Sequence, residues 1–227
     1  MRLCTFAFTS YEVDPMSRHI QNLIKQGEHQ TLDFKHSITD SKKIARSLAA
    51  FANTDGGTLL IGVKDNGNVV GVNSDEEYYM VEAAAQLYCK PEVRFSVAKW
   101  EINGKTVLEV TIKPSKKKPH KAPDKDNQYK AYVRVADENM IATPIQLKIW
   151  KAERNRKSIR LNLTEKESKL LEYLKENKRI TASQFSRIGF LSRADAESIL
   201  VNLTVLGLIV YTANLDEDYF QLVKIEA

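Results

Sequence analysis

Four lysines and a histidine crowd into six residues, Lys116-Lys117-Lys118-Pro119-His120-Lys121. Lysine ammonium groups meet phosphates as mobile point charges, which gives affinity without reading bases. Lys130 and Arg134 follow closely and join the set, so the segment suits a polyanion. A lysine run can equally be a solvated loop, and a Pro-His pair can simply pack against the strand beside it. These residues alone leave both roles open. Other chemistries find no support. There is no Gly-x-x-x-x-Gly-Lys-Ser/Thr, so no P-loop cradles a triphosphate and ATP is not expected. No Gly-x-Ser-x-Gly nucleophile motif occurs. His19, His29, His36 and His120 lack metal-ligand spacing. Cys4 and Cys89 form neither a disulfide framework nor a paired metal motif.

The elements that must position these side chains follow from patterning. Ser17 to Gly27 sets Ile20, Leu23 and Ile24 on one helical face, closed by Gly27. Leu32 and Phe34 alternate with Asp33 and Lys35, the period of a half-buried strand. Asp40 or Ser41 caps a helix carrying Ile44, Leu48, Phe51 and Ala52. Asn53 to Gly57 is turn chemistry, with paired glycines for a corner that residues with a Cβ resist. Thr58 to Val63 is a short apolar run, expected as a central strand, and Asp65-Asn66-Gly67 predicts a tight hairpin returning through Asn68 to Val72. Asp75 to Lys90 predicts a helix ending before Pro91. Asn103-Gly104 joins two strands, 93–102 and 105–113. Pro114 to Gln128, with three prolines, predicts an exposed basic loop without regular structure. Tyr129 to Val135 is a strand, with Ala131, Val133 and Val135 on one face and Tyr132 and Arg134 on the other. Pro144 to about Arg156 predicts a helix.

The remainder has a different character. Thr164 with Glu167 and Thr181 with Gln184 are capping boxes, and Ser192 caps a third helix bearing Ile199, Leu200, Leu203 and Leu206. Residues 208–212 and 219–223 predict a hairpin. Three helices and a two-stranded ribbon are the winged-helix pattern. The third helix offers Arg193, Asp195, Glu197, Ser198 and Asn202 away from its apolar stripe, and the wing tip is Asp216-Glu217-Asp218. That is poor chemistry for meeting phosphates, so this unit reads as a dimerisation or docking module as readily as a DNA reader. The expected organisation is an extension at 1–15, a domain at 16–147, a basic linker at 148–160 and a winged-helix-like domain at 161–227. The fold class is α+β: a mixed or antiparallel sheet with flanking helices, then the small winged helix.

The 227 residues suffice for one large domain or two modest ones. The net charge of +5 is uneven: residues 161–227 hold 8 Lys and Arg against 10 Asp and Glu, while residues 1–160 hold 26 against 19. The basic excess therefore belongs to the larger, N-terminal part. No apolar run approaches the roughly 20 residues of a membrane helix, and residues 1–8 lack a signal-peptide pattern, so a cytoplasmic protein without membrane partners is expected.

Residues from about Glu28 to Thr143 resemble the AlbA_2 domain of Schlafen-type proteins. The resemblance rests on Glu28 with Asp33-Phe34-Lys35, then Ala50-Phe51-Ala52-Asn53-Thr54-x-Gly56-Gly57-Thr-Leu-Leu-Ile-Gly62-Val63-x-Asp65-x-Gly67. Gly71, Pro119-His120 and Tyr132-Val133-Arg134-Val135 complete it. It implies association with nucleic acids, as in bacterial proteins where this domain sits beside a winged helix and is called a DNA-binding or transcriptional regulator. It also implies an alternative, since some Schlafen relatives are metal-dependent ribonucleases. Their three carboxylates map by motif onto Glu28, Asp33 and Asp65, which would hold Mg²⁺ or Mn²⁺, with Lys35 against the phosphate. Asp33 stands where a glutamate is more usual, and Asp65 sits where the turn itself wants an aspartate. The readings are thus a nucleic-acid-binding regulator using Lys35, Lys116, Lys117, Lys118, His120, Lys121, Lys130 and Arg134; a Schlafen-type endoribonuclease; or an interaction module with no nucleic-acid partner. Schlafen enzymes enclose RNA between two copies of the domain, so the single copy here implies a homodimer.

Overall fold

A computed structural model describes residues 15–72, 75–155 and 164–223. The expected extension at 1–15 lies outside the described residues except for Pro15, where α1 begins. The chain runs α1 (Pro15–Gln26), β1 (Leu32–Lys35), α2 (Ser41–Asn53), β2 (Gly57–Ile61) and α3 (Glu76–Ala83), which continues as a π-helical turn, Ala84–Tyr88. Strands β3 (Phe95–Ile102), β4 (Lys105–Ile112), β5 (Lys121–Pro123), β6 (Tyr129–Val135) and β7 (Glu138–Ile141) follow. Then come α4 (Pro144–Arg154), α5 (Glu165–Glu176), α6 (Ala182–Ile188), α7 (Arg193–Val205), β8 (Ile209–Thr212) and β9 (Tyr219–Leu222).

Helix α2 is the centre of the larger part. Asp40 caps it, accepting from the Lys42 amide at 2.8 Å. Ile44, Ala45, Leu48, Ala49, Ala50, Phe51 and Ala52 are all buried; Lys43 is exposed at the start of the helix, and from Ser47 to Asn53 it is enclosed on every side. One neighbour is a four-stranded mixed sheet in the order β1-β2-β4-β3, with β1 and β2 parallel and the rest antiparallel. The other is the antiparallel sheet β5-β6-β7. Strand β2 is buried on both faces: Leu59 and Ile61 join the α2 core, while Leu60 joins Ile20, Leu32, Phe34 and Val107 beneath α1. That is the burial expected of a central strand.

The glycine pair makes the corner between α2 and β2. Gly56 has φ +78°, and a Cβ there would lie 2.6 Å from the Ile112 carbonyl. At Gly57 a Cβ would lie 2.5 Å from the Phe51 ring. The Asn103-Gly104 hairpin forms with positive φ at both residues, 52° and 72°, as a two-residue type I′ turn requires.

Three expectations need correction. The Asp65-Asn66-Gly67 turn closes, with the Gly67 amide on Lys64 O at 2.8 Å, but residues 68–72 return through isolated bridges instead of a strand. Strand β2 already pairs with β1 on one edge and β4 on the other, so no edge remains. Second, the loop 114–128 contains β5, which pairs with β6, and Lys121 also exchanges two backbone hydrogen bonds with Lys90 at 2.8 Å. Third, residues 148–154, expected both as the end of a helix and as part of a basic linker, form the second half of α4, as the helix expectation had it. Ile145 and Ile149 enter the C-terminal core with Leu170, Phe185, Leu200 and Phe220, while Trp150 packs with Val133 and Val135 of β6. An amphipathic helix with apolar partners on both sides has no reason to unwind.

The C-terminal elements have the winged-helix arrangement: α5, α6 and α7 followed by the β8–β9 hairpin. Both capping boxes are present, and Ser192 accepts from the Asp195 amide at the start of α7.

Candidate nucleic-acid interface

Asp33 lies in the middle of β1 on the face turned to α2, and it is 3% exposed. Its Oδ1 accepts from Arg134 Nη2 at 3.3 Å and from Lys35 Nζ at 3.0 Å. Ser47 Oγ on α2 reaches Oδ2 at 3.5 Å. Arg134 comes from β6 in the other sheet and is 2% exposed. It also donates to Leu32 O at 3.4 Å and Asn139 Oδ1 at 3.2 Å, and its guanidinium lies 5.3 Å from the Phe51 ring centre. Asn139 in turn donates to Ser47 at 2.8 Å. This is a buried ion pair with hydrogen-bonded support that ties the two sheets across α2. Arg134, expected among the phosphate contacts, is instead an internal strut. Strand β6 is covered on both faces, by α2 and by Trp150, so its polar face never meets solvent.

Glu28 accepts the Phe34 amide at 2.8 Å. Burial raises its pKa, and the Asp33 carboxylate adds to the rise. Lys35 Nζ sits 3.9 Å from Glu28 and 2.6 Å from Phe34 O, so its charge is turned inward to these two carboxylates. Asp65 is exposed in the turn beyond β2. Among the described residues no three His, Cys, Asp or Glu side chains converge closely enough to hold a metal ion. Glu28 and Asp33 are therefore together and Asp65 is apart. The donor set that the resemblance implied for Mg²⁺ or Mn²⁺ does not fit, because its buried member is already neutralised by Arg134 and its third member is elsewhere.

The lysine run divides. His120 is 3% exposed. Its ring nitrogens meet Pro91 O at 2.8 Å and Ser115 Oγ at 2.7 Å. Asn53, the last residue of α2, donates to the carbonyls of His120 and Tyr132 at 2.7 and 2.8 Å and accepts from the His120 amide at 2.8 Å. Burial lowers the His120 pKa, which keeps the ring neutral. It is a post that shapes the loop, the packed role of the two that the sequence left open, and not a phosphate contact. Lys118 is half-buried, with Nζ turned toward Thr54 O at 3.5 Å; burial lowers its pKa, against the pull of Glu153 and Asp55. Lys130 bonds Gln128 at 3.0 Å. Lys116, Lys117 and Lys121 remain exposed.

Two cations missing from the sequence-based set complete the surface. Arg94 and Lys113 line, with Lys116 and Lys117, one cleft of about 650 Å³. Among the described residues none of these four makes an ion pair, and Glu92 is the one acid lining the cleft. A signal for the pair was available. The Asn103-Gly104 turn sets Ile102 opposite Lys105 and carries the ladder to Phe95 opposite Ile112, so the next pair outward is Arg94 and Lys113.

Helix α7, the helix that would read bases, packs against α4. Its Glu197 accepts from Lys148 of α4 at 2.6 Å and from Arg193 at 3.0 Å. The exposed remainder is Ala194, Asp195, Ser198 and Asn202 beyond Arg193. In the wing, Asp218 accepts from Thr143 Oγ1 at 2.9 Å and from the Tyr211 hydroxyl at 2.5 Å, while Asp216 and Glu217 stay exposed.

The fold and its surface define a class: a basic, cleft-bearing α+β domain built on an enclosed helix, joined to a winged-helix arrangement. Residues 28–143 match the model of the Schlafen, AlbA_2 family, and the chain belongs to that family. Among solved structures, the DIP2311 protein of Corynebacterium diphtheriae matches at 17% identity and a TM-score of 0.46, covering 60% of this chain and 32% of that one. The chain thus spans about a third of that protein's length. The N-terminal domain of a RecG-related protein from Nitrosomonas europaea matches at 21% identity and a TM-score of 0.39, covering 56% of this chain and 93% of that domain. No curated protein matches the chain significantly. Among the described residues no helix is long and apolar enough to cross a membrane.

Proposed function

We propose that this protein is a nucleic-acid-binding regulator of the DNA-binding kind, in which the AlbA_2 domain supplies the affinity. The observation that carries this reading is the convergence of Arg94, Lys113, Lys116 and Lys117, none of them ion-paired among the described residues, on one cleft. Membership of a family associated with nucleic acids supports it. The winged-helix unit, with its acidic wing and its α7 held by α4, then serves as the docking part, and α4 bridges the two domains. The nuclease reading is not carried forward, since no observation favours it. A homodimer would align two clefts, and a light-scattering mass of one chain would rule that arrangement out.

The test is binding of fluorescein-labelled DNA and RNA, followed by anisotropy across a salt series. The wild-type affinity should fall steeply with salt, and Lys116→Ala/Lys117→Ala should flatten the log–log slope by about 1 per lysine that contacts phosphate. A salt-independent affinity, or no binding at all, would remove the reading.

A further inference from the structure

The basic cleft is concave, and that shape selects among nucleic acids. One wall is the segment entering β3, from Pro91 to Ser96; the other is Lys113 to Lys117. Ala52, Val93 and the neutral His120 lie at its base, all buried. Elements that bind duplex grooves are convex and project into them. Here the cations line a hollow of about 650 Å³, on the scale of a nucleotide or two, whereas a rod carrying phosphates on two strands would meet only its rim. The lining also offers what a base needs. Phe95 is half-buried and faces the cleft, and Pro91 and Pro114 add exposed apolar surface. A cationic groove with an aromatic platform is how single strands are held without sequence preference. The walls are set in advance: the β3–β4 ladder holds one end, and the Asn53–His120–Pro91 hydrogen bonds hold the other. Less ordering is then required on binding.

We propose that this cleft binds a single-stranded segment of nucleic acid, with phosphates on Arg94, Lys113, Lys116 and Lys117 and a base against Phe95. This rests on the nucleic-acid reading above and narrows it. The shared chemistry is a flexible phosphodiester strand with unpaired bases, which DNA and RNA both supply.

The experiment measures anisotropy of three labelled probes on the full chain: oligothymidylate, oligouridylate and a DNA hairpin duplex of equal phosphate number. At least one single strand should bind about tenfold or more tighter than the duplex, and the ratio of the two strands tells which sugar is preferred. Phe95→Leu keeps apolar volume against the core while removing the platform. It should weaken single-strand binding about fivefold or more, leave the salt slope unchanged and leave the duplex unaffected. Arg94→Glu/Lys113→Glu, at the surface, should weaken single strands and flatten their slope. Equal or tighter duplex binding, or a silent Phe95→Leu with unchanged melting, overturns the single-strand assignment while nucleic-acid binding stands. No binding of any probe overturns both.

Discussion

Asp33 and Arg134 show how a residue's role depends on what covers it. Both are charged, both lie on strands, and each fills a place that patterning assigns to a polar face. Because α2 covers that face in both sheets, the two charges are buried and must satisfy one another. Removing one leaves the other uncompensated, so Asp33→Ala and Arg134→Ala should each cost about 3–5 kcal/mol in denaturant unfolding. The double apolar replacement Asp33→Leu/Arg134→Met should recover much of that loss. Were Asp33 a catalytic carboxylate alone, its loss would leave stability near wild type. His120 adds a pH dependence of definite sign. Its folded pKa lies below the ordinary 6.5 because burial disfavours the charged ring. The stability it contributes is full above that ordinary value and is lost as pH falls through the folded one. Melting temperature should therefore drop as pH is lowered below about 6.5, and His120→Gln should flatten the drop. These burials were not legible in the sequence. Asp33 and Arg134 lie 101 positions apart along the chain, and a period of two says which face a side chain takes, not what lies over it.

At the scale of elements, local chemistry was read well where it is self-contained. The Asp40 and Ser192 caps, both capping boxes and the Asn103-Gly104 turn depend on neighbours within a few residues, and each is present. Two elements decided by distant partners were misread: residues 68–72 find β2 already paired, and β5 exists because β6 offers an edge. Helix α4 was expected, but its basic outer face concealed the apolar inner ones that give it partners. The glycine corner is the sharpest of the local devices, because α2 and β2 meet there without room for one methyl group. Gly57→Ala would drive a Cβ into the Phe51 ring and should cost about 1–3 kcal/mol. A double variant with Phe51→Leu should lose less than the two single losses added together, a coupling that a double-mutant cycle in urea measures directly. Additive losses would mean that the ring and the corner are independent.

Across the whole molecule the basic cleft and the winged-helix arrangement are separate features joined by one helix. The cleft belongs wholly to the AlbA_2 domain, whereas α7 is closed by α4 and the wing is tied to Thr143. Helix α4 is the joint: Trp150 faces β6 while Ile149 sits among Leu170, Leu200 and Phe220. A cavity at Ile149 should therefore weaken the C-terminal unit by about 2–5 kcal/mol without entering the cleft. In calorimetry Ile149→Ala should split one melting transition into two, the lower belonging to the winged-helix unit. Nucleic-acid affinity measured below that lower transition should stay within about twofold of wild type, because none of the four cations moves with the joint. If affinity fell as far as it does on charge reversal at Arg94 and Lys113, the winged-helix unit would be carrying binding energy. The exposed face of α7, poor as its chemistry is, would then have to be part of the interface.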